Sequence, residues 1–483
     1  MVQGHGANDG HEAGVTKQLC EWIQKVSLDD VPEDVRTRAK HLVLDGLACA
    51  IVGSHLPWTE TAARAVFDME SSGNCSVWGH ERKTGALPAA LLNSTAIQGF
   101  ELDDWHLIAP LHSNSLILPA VFAAASQESA KNSTKFDGKA FLLSVIAGYE
   151  TGPRVGNALY GKDMLTRGWH SGAIFGPSAS AAAVSKLLNL PAESIEDALG
   201  IACTQAGGLM SAQFGSDAKR MQHGFAARNG LFAALLAKQG YTGIKNVYEE
   251  SYGGFLAMFG EGSGKEPRYL PEEVSKELGQ KWQLRLIGVK LHASMAATHC
   301  TIDCVQALQE RYPKELADLR EVTSIKLEMG EAAWKHGGFE VKRPVSATGG
   351  QMSCAYTAAV QLVDGQVLAD QFRHSKLDRD IIWELVRKTQ CVHEPDVGDT
   401  YKQRVTITLK AGTTLTQELE GPKSVFPGVS NKEIVDKWRR LTHGIIEEKR
   451  RDEIEKVVLD IEGLDDVGNL EKLLSGSILS PIA

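Results

Sequence analysis

Cysteine is scarce. Eight are scattered through 483 residues (Cys20, Cys49, Cys75, Cys203, Cys300, Cys304, Cys354 and Cys391), and no two form a Cys-x-x-Cys pair. This excludes a disulfide scaffold and the common zinc and redox motifs, and it fits reduced thiols in a reducing compartment. Basic charge is in deficit, 51 Lys plus Arg against 60 Asp plus Glu for a net charge of −9, so no nucleic-acid partner is expected. Long apolar runs are missing: residues 116–125, among the longest, fall well short of the ~20 that a membrane-spanning helix needs. No membrane segment is expected. The first fifteen residues have neither an apolar signal core nor an Arg-rich transit pattern, which points to the cytosol. Residues 1–13, rich in Gly, His and Asp, are expected to be disordered.

Several chemistries are missing too. Residues 260–265 resemble a phosphate loop, but Phe259 stands where its first glycine is required and Glu266 where Ser or Thr is required. His11-Glu12 would need a second histidine at Val15 to bind zinc. There is no Gly-x-Ser-x-Gly elbow. Asp103-Asp104 lacks a third carboxylate at Leu107, and His299, Cys300 and Cys304 on one helical stretch read as core residues. No metal site is expected.

Hydrophobic residues make up 43% of the chain, enough for a large core. Apolar residues recur at helical spacing over residues 35–51, 89–102, 139–149, 176–188, 194–210 and 223–237, and Gly152-Pro153 reads as a turn between two such blocks. Beyond an exposed loop at 260–273, residues 285–291, 322–329 and 404–409 alternate like strands, with Ala411-Gly412 as a hairpin turn and helices at 297–311 and 353–363. Helical periodicity returns over 431–474. The expected fold is mainly α: a large all-helical domain (1–285 and 422–483) with a smaller α+β domain inserted at 286–421.

Five segments place titratable residues beside glycine and other small residues: 101–106 with 110–115, 168–172, 209–213 running into 219–224, 250–255, and 290–292 with 298–299. Each has a plain structural reading. A lone histidine is usually a satisfied core or surface residue, Lys219-Arg220 a solvated pair, and Asp103-Asp104 a helix cap. Together, His, Lys and Arg suit a pocket that neutralises a multiply charged carboxylate and then moves a proton.

At these residues the chain resembles the MmgE/PrpD family, and within it the branch that decarboxylates cis-aconitate to itaconate. The resemblance is carried by Glu101-Leu-Asp-Asp, Ala109-Pro-Leu-His-Ser, Gly168-Trp-His, Gly208-Leu-Met-Ser-Ala-Gln, Lys219-Arg, Gln222-His-Gly-Phe and Ser251-Tyr-Gly-Gly-Phe-Leu. It implies that the inserted α+β domain at 286–421 is a lid domain, and it implies a homodimer, catalysis of a small tricarboxylate without a cofactor, and active-site residues at Glu101, His112, His170, Lys219 and Lys290, with His299 nearby. Glu101 or Asp104 would orient a histidine, and Gln213, Arg220 and His223 join Lys290 and His299 as substrate-binding candidates. Two departures stand out: Met295 occupies the place of a histidine of the animal members, and residues 334–341 hold no counterpart of the family's lid tyrosine. Three readings stay open beside this one: a hydro-lyase acting on 2-methylcitrate, a decarboxylase of trans-aconitate, and a non-catalytic helical scaffold.

Overall fold

A computed structural model describes residues 13–398 and 400–482; the expectation for residues 1–12 lies outside them. The first half of the chain is helical because its apolar residues recur every three to four positions. The helices are α1 (Val15–Lys25), α2 (Glu33–Gly53), α3 (Pro57–Met69), α4 (Ala86–Gln98), α5 (Ser113–Asn132), α6 (Gly138–Ala158), α7 (Asp163–Thr166), α8 (Ser171–Leu187), α9 (Ala192–Cys203), α10 (Ala218–Lys238) and α11 (Phe255–Gly260). Helix α2 is buried on every side from Leu42 to Gly53, as a central helix must be. Helix α8 exposes almost nothing, and its run of buried Ala and Ser lets α6 and α10 approach it closely. Gly152-Pro153 is not a turn. It lies inside α6, where Gly152 is wedged against Leu111 and Ala179, so the glycine marks close packing rather than a chain reversal.

Short ladders stitch this half together. Strand β1 (Cys75–Ser76) pairs with β2 (Lys83–Thr84), and β3 (Trp105–His106) pairs with β4 (Ile287–Gly288), all antiparallel. The strand expected over 285–291 shrinks to β4, because a 3-10 turn at Gln283–Leu286 occupies its start. The helix expected over 194–210 ends at Cys203, ahead of Gly207 and Gly208. The one expected over 89–102 ends at Gln98, followed by Gly99.

The later part holds α12 (Ala296–Arg311), α13 (Glu331–Gly337), α14 (Ala347–Met352), α15 (Cys354–Asp364), α16 (His374–Leu377) and α17 (Asp380–Arg387). They accompany a sheet of β5 (Val322–Met329), β6 (Thr389–His393), β7 (Gln403–Leu409) and β8 (Thr414–Leu419), in the order β6-β5-β7-β8. Only the β5–β6 pair is parallel. Strand β6 escapes sequence reading because it is a half-buried edge without alternation. Three final helices, α18 (Asn431–Thr442), α19 (Glu448–Leu459) and α20 (Val467–Leu474), return to pack on α2 and α5. Among the described residues no single helix is long and apolar enough to cross a membrane; the α2–α3 pair, which has the length and composition together, is bent by 83°.

Candidate active site

Four long helices begin at one cavity. His112 is the N-cap of α5, His170 of α8 and Met295 of α12, while Lys219 lies in the first turn of α10. Helix α10 thus starts several residues earlier than the periodicity near His223 suggests. All four residues line a cavity of about 170 Å³. A helix N-terminus carries roughly half a positive charge, so the cavity favours an anion before any side chain is counted.

Beyond α4 the chain turns through Glu101, whose φ of 56° lies in the left-handed region, a strain of ~1–2 kcal/mol for a residue with a Cβ. Its carboxylate meets three cations: Lys219 Nζ at 2.9 Å, Arg220 Nη1 at 2.8 Å and Lys290 Nζ at 3.0 Å. Burial alone would raise its pKa, but the charges of Lys219, Lys290 and Arg220 hold it well below the ordinary range. Lys290 reaches this point because the β3–β4 ladder lays its segment beside residues 105–106. Burial lowers the pKa of Lys219, only partly offset by Glu101; for Lys290 burial also lowers, but Glu101 and Asp103 prevail and raise it.

Asp103 is fully buried, with Oδ2 3.2 Å from His112 Nδ1 and Oδ1 3.5 Å from Lys290 Nζ. Burial pushes its carboxyl up, yet His112 and Lys290 bring it below its ordinary value. Asp104, offered by the sequence as a partner for a histidine, does something else. Its Oδ2 and Oδ1 accept the Ser113 and Asn114 amides at 2.9 Å each, capping α5, and burial with the Asp103 charge drives it well up. Asp103 is the carboxylate on His112.

His223, one turn along α10 from Lys219, sits between His112 and His170 with ring centroids 5.1 and 4.9 Å away. Its Nδ1 contacts Ser115 Oγ at 2.8 Å. Gly172 makes the room, since a Cβ there would collide with the His223 ring. Burial holds both His170 and His223 well below the ordinary imidazole range, with Lys219 adding to the effect at His170 and His170 at His223. Both are therefore neutral, and His170 Nδ1 is buried without a partner. The segment after α9 completes the wall: the Trp169–Leu209 bridge and the His170 amide bond to the Gly208 carbonyl (3.1 Å) hold it against the start of α8, and it carries Gln213.

Of the ten candidate site residues named from sequence, six line the cavity: Glu101, His112, His170, Lys219, Gln213 and Lys290. Four stand behind it. Asp104 caps α5, and His223 backs the two other histidines. Arg220, expected to bind substrate, is spent inside the protein on Glu101, Gln351 Oε1 (2.5 Å) and Thr348 Oγ1 (3.2 Å). His299 is held at 3.1 Å from the Ser294 carbonyl and packs its ring on His292.

Sequence reasoning passed over Asp103 as a histidine partner, and also His336 and Tyr401. His336, on α13, lines the cavity with Nε2 buried and unpartnered, and burial lowers its pKa. Its signal was present: Gly337-Gly338 follow it, the same polar-beside-glycine texture as the other segments. Tyr401 donates to the Leu107 carbonyl at 2.6 Å, and its ring carries Lys162 Nζ 4.0 Å from its centroid. Tyr401, Lys162, Thr166 and Ala332 also line a larger adjoining cavity of about 1120 Å³.

Two family models match the chain, the MmgE/PrpD N-terminal domain over residues 17–267 and the MmgE/PrpD C-terminal domain over residues 292–462. A cis-aconitate decarboxylase-like protein of Aspergillus oryzae is 48% identical, covering 97% of this chain and 98% of its own. Cis-aconitate decarboxylase of Aspergillus terreus is 44% identical over 99% of both chains, and that of Homo sapiens 26% identical over 96% and 95%. With its N-terminal half and most of the remainder matched, and its cavity lined from both matched regions, the chain belongs to the MmgE/PrpD family.

Proposed function

We propose that the protein is a carboxy-lyase that converts cis-aconitate to itaconate and CO2. The carrying observation is the small cavity at four helix N-termini, walled by Lys219, Lys290, His112 and His170, which suits a multiply charged carboxylate. The named relatives of A. terreus and H. sapiens support the choice of tricarboxylate.

The chemistry needs an electron sink and one proton. The bond between the methylene carbon and its carboxylate breaks and CO2 departs. The electron pair forms a new double bond to that methylene carbon, and the former double bond's pair moves onto the vinyl carbon and its carboxylate. Lys219 and Lys290 stabilise this dienediolate, a preorganised contribution of ~3–4 kcal/mol for each well-placed donor. His112, held by Asp103, then delivers a proton to the former vinyl carbon. His170, neutral, donates a ring N–H to a substrate carboxylate.

Purified protein is offered cis-aconitate, trans-aconitate and 2-methylcitrate in parallel, with products read by NMR and CO2 release. Itaconate from cis-aconitate alone is the expected result. Water loss from 2-methylcitrate without CO2 would make the enzyme a hydro-lyase, and no turnover of any of the three would make it a scaffold. The reading extends to a cytosolic homodimer. Phe225 and Phe232, seven residues apart on α10 and 39% and 40% exposed, support a second copy covering that face. Light scattering at twice the chain mass is the expected result.

A further inference from the structure

Away from the cavity, the turn between α2 and α3 brings His55 and Glu60 against His80, which follows β1. One ligand atom from each of the three lies within 4.8 Å of the others. His55 Nε2 is 3.0 Å from the Gly79 carbonyl oxygen, and because a carbonyl only accepts, Nε2 carries the proton. In the neutral ring Nδ1 is then a lone pair, and it touches the Glu60 carboxylate. Two acceptors face each other at contact distance. His80 adds a second open group: its Nε2 is buried with no partner. The two rings stand 4.8 Å apart.

We propose that His55, Glu60 and His80 form a binding site for a divalent transition-metal ion, Zn²⁺ in the first instance, which clamps the α2–α3 turn to the loop after β1. Two imidazoles, one pinned by the Gly79 carbonyl with its Nδ1 on Glu60 and the other with a buried, unpartnered Nε2, plus one carboxylate, are a borderline-soft ligand set. A water completes a tetrahedron. An extra proton on His55 would also relieve its contact with Glu60, but it would leave His80 Nε2 unsatisfied; a metal ion serves all three groups. The His55 and Glu60 side chains are 21% and 36% exposed, so an ion enters from solvent.

The clamp bears on the catalytic site only from behind. Two residues before Glu60, Trp58 stacks on Phe100 with centroids 6.0 Å apart and lies 5.4 Å from the Arg220 guanidinium. The ion therefore stiffens the support of Glu101 and takes no part in turnover.

Tag-free full-length protein, stripped with EDTA, is titrated with ZnCl2 by calorimetry and with CoCl2 by visible absorption, and its melting temperature is followed. One Zn²⁺ per chain, a tetrahedral Co²⁺ spectrum and a Zn²⁺-dependent rise in Tm are expected. Glu60→Gln and His80→Gln should each weaken binding by at least about tenfold and remove the Tm response, with kcat unchanged. Both substitutions are on partly exposed side chains, so failure of one to fold leaves the other as the test. The proposal is overturned if wild-type protein shows no Co²⁺ spectrum, or if either folded variant binds as tightly as wild type. The latter would put the ion elsewhere, for example on His5 and His11.

Discussion

Asp103 and Asp104 are adjacent in sequence, equally buried, and opposed in role. One carboxylate faces His112 and Lys290, whose charges lower its pKa against the pull of burial; the other faces two backbone amides and is raised by burial and by its neighbour. Removing each should therefore read out differently. Asp103→Asn takes away the carboxylate that holds His112 in place, so kcat falls by about 10²-fold or more with KM little changed. Asp104→Ala leaves two buried amides of α5 unpaired, so unfolding free energy drops by ~1–3 kcal/mol, measured by urea titration, and kcat of the folded protein stays close to wild type. A wild-type kcat in Asp103→Asn would remove Asp103 from the proton path. Lys219 offers a second test. It is a point charge on the cavity wall, whereas the neighbouring Arg220 is a planar fork with each Nη already engaged. Lys219→Arg should be impaired and Lys219→Met worse, with the loss in kcat rather than KM, because the developing dienediolate is what needs the charge. A Lys219→Met enzyme with normal kcat and raised KM would confine the residue to ground-state binding.

At the scale of elements, the helices were legible in sequence as periodic blocks, but their beginnings and ends were not, and the site is built from beginnings. His112, His170 and Met295 are N-caps without a Ser, Thr, Asp or Asn side chain to announce them. The segments that hold Glu101, His112, His170, Lys219, Gln213 and Lys290 stood out because polar residues beside glycine interrupt otherwise apolar blocks, and the resemblance to the family singled out residues within them. The partition into wall and backing could not: Arg220 and His223 follow Lys219 on one helix, and only α10's rotation decides which faces the cavity. Strand β4 was overextended for a related reason, since two residues of pairing with β3 are set by tertiary contact rather than alternation. The later part of the chain adds a prediction of its own. His299 on α12 is pushed well below the ordinary imidazole value of 6.5 by burial and by His292. A histidine so lowered contributes stability that is full above its unfolded pKa and lost as pH falls below it, at ~1.4 kcal/mol per pH unit. His299→Gln should therefore lose ~1.4 kcal/mol less than wild type per unit of acidification below pH 6.5, measured by urea titration. Parallel stability curves for the two proteins would mean that His299 titrates normally.

For the whole molecule, the question is how the two ends of a long chain are made to form one support for the site. Helices α18 and α19 return to α2, and α20 returns to α5, the helix that carries His112. The return is locked by a buried pair, Lys437 Nζ on α18 at 2.6 Å from Asp45 Oδ1 on α2, each side chain no more than 1% exposed. The same ammonium donates to the Leu102 carbonyl at 2.6 Å, immediately before Asp103. A buried ion pair adds little net stability over an apolar pair, but breaking one side strands a charge. Burial already pushes Asp45 above its ordinary value with Lys437 present to oppose it. Lys437→Met should therefore cost ~3–5 kcal/mol of unfolding free energy, and adding Asp45→Asn should recover most of it. The double variant separates stability from catalysis. It restores the packing of α18 on α2 but not the bond to Leu102, so its kcat should stay below wild type while its urea midpoint returns. Full recovery of both would show that Lys437 acts on the fold alone. Recovery of neither would show that the Leu102 carbonyl, rather than Asp45, is the partner that matters.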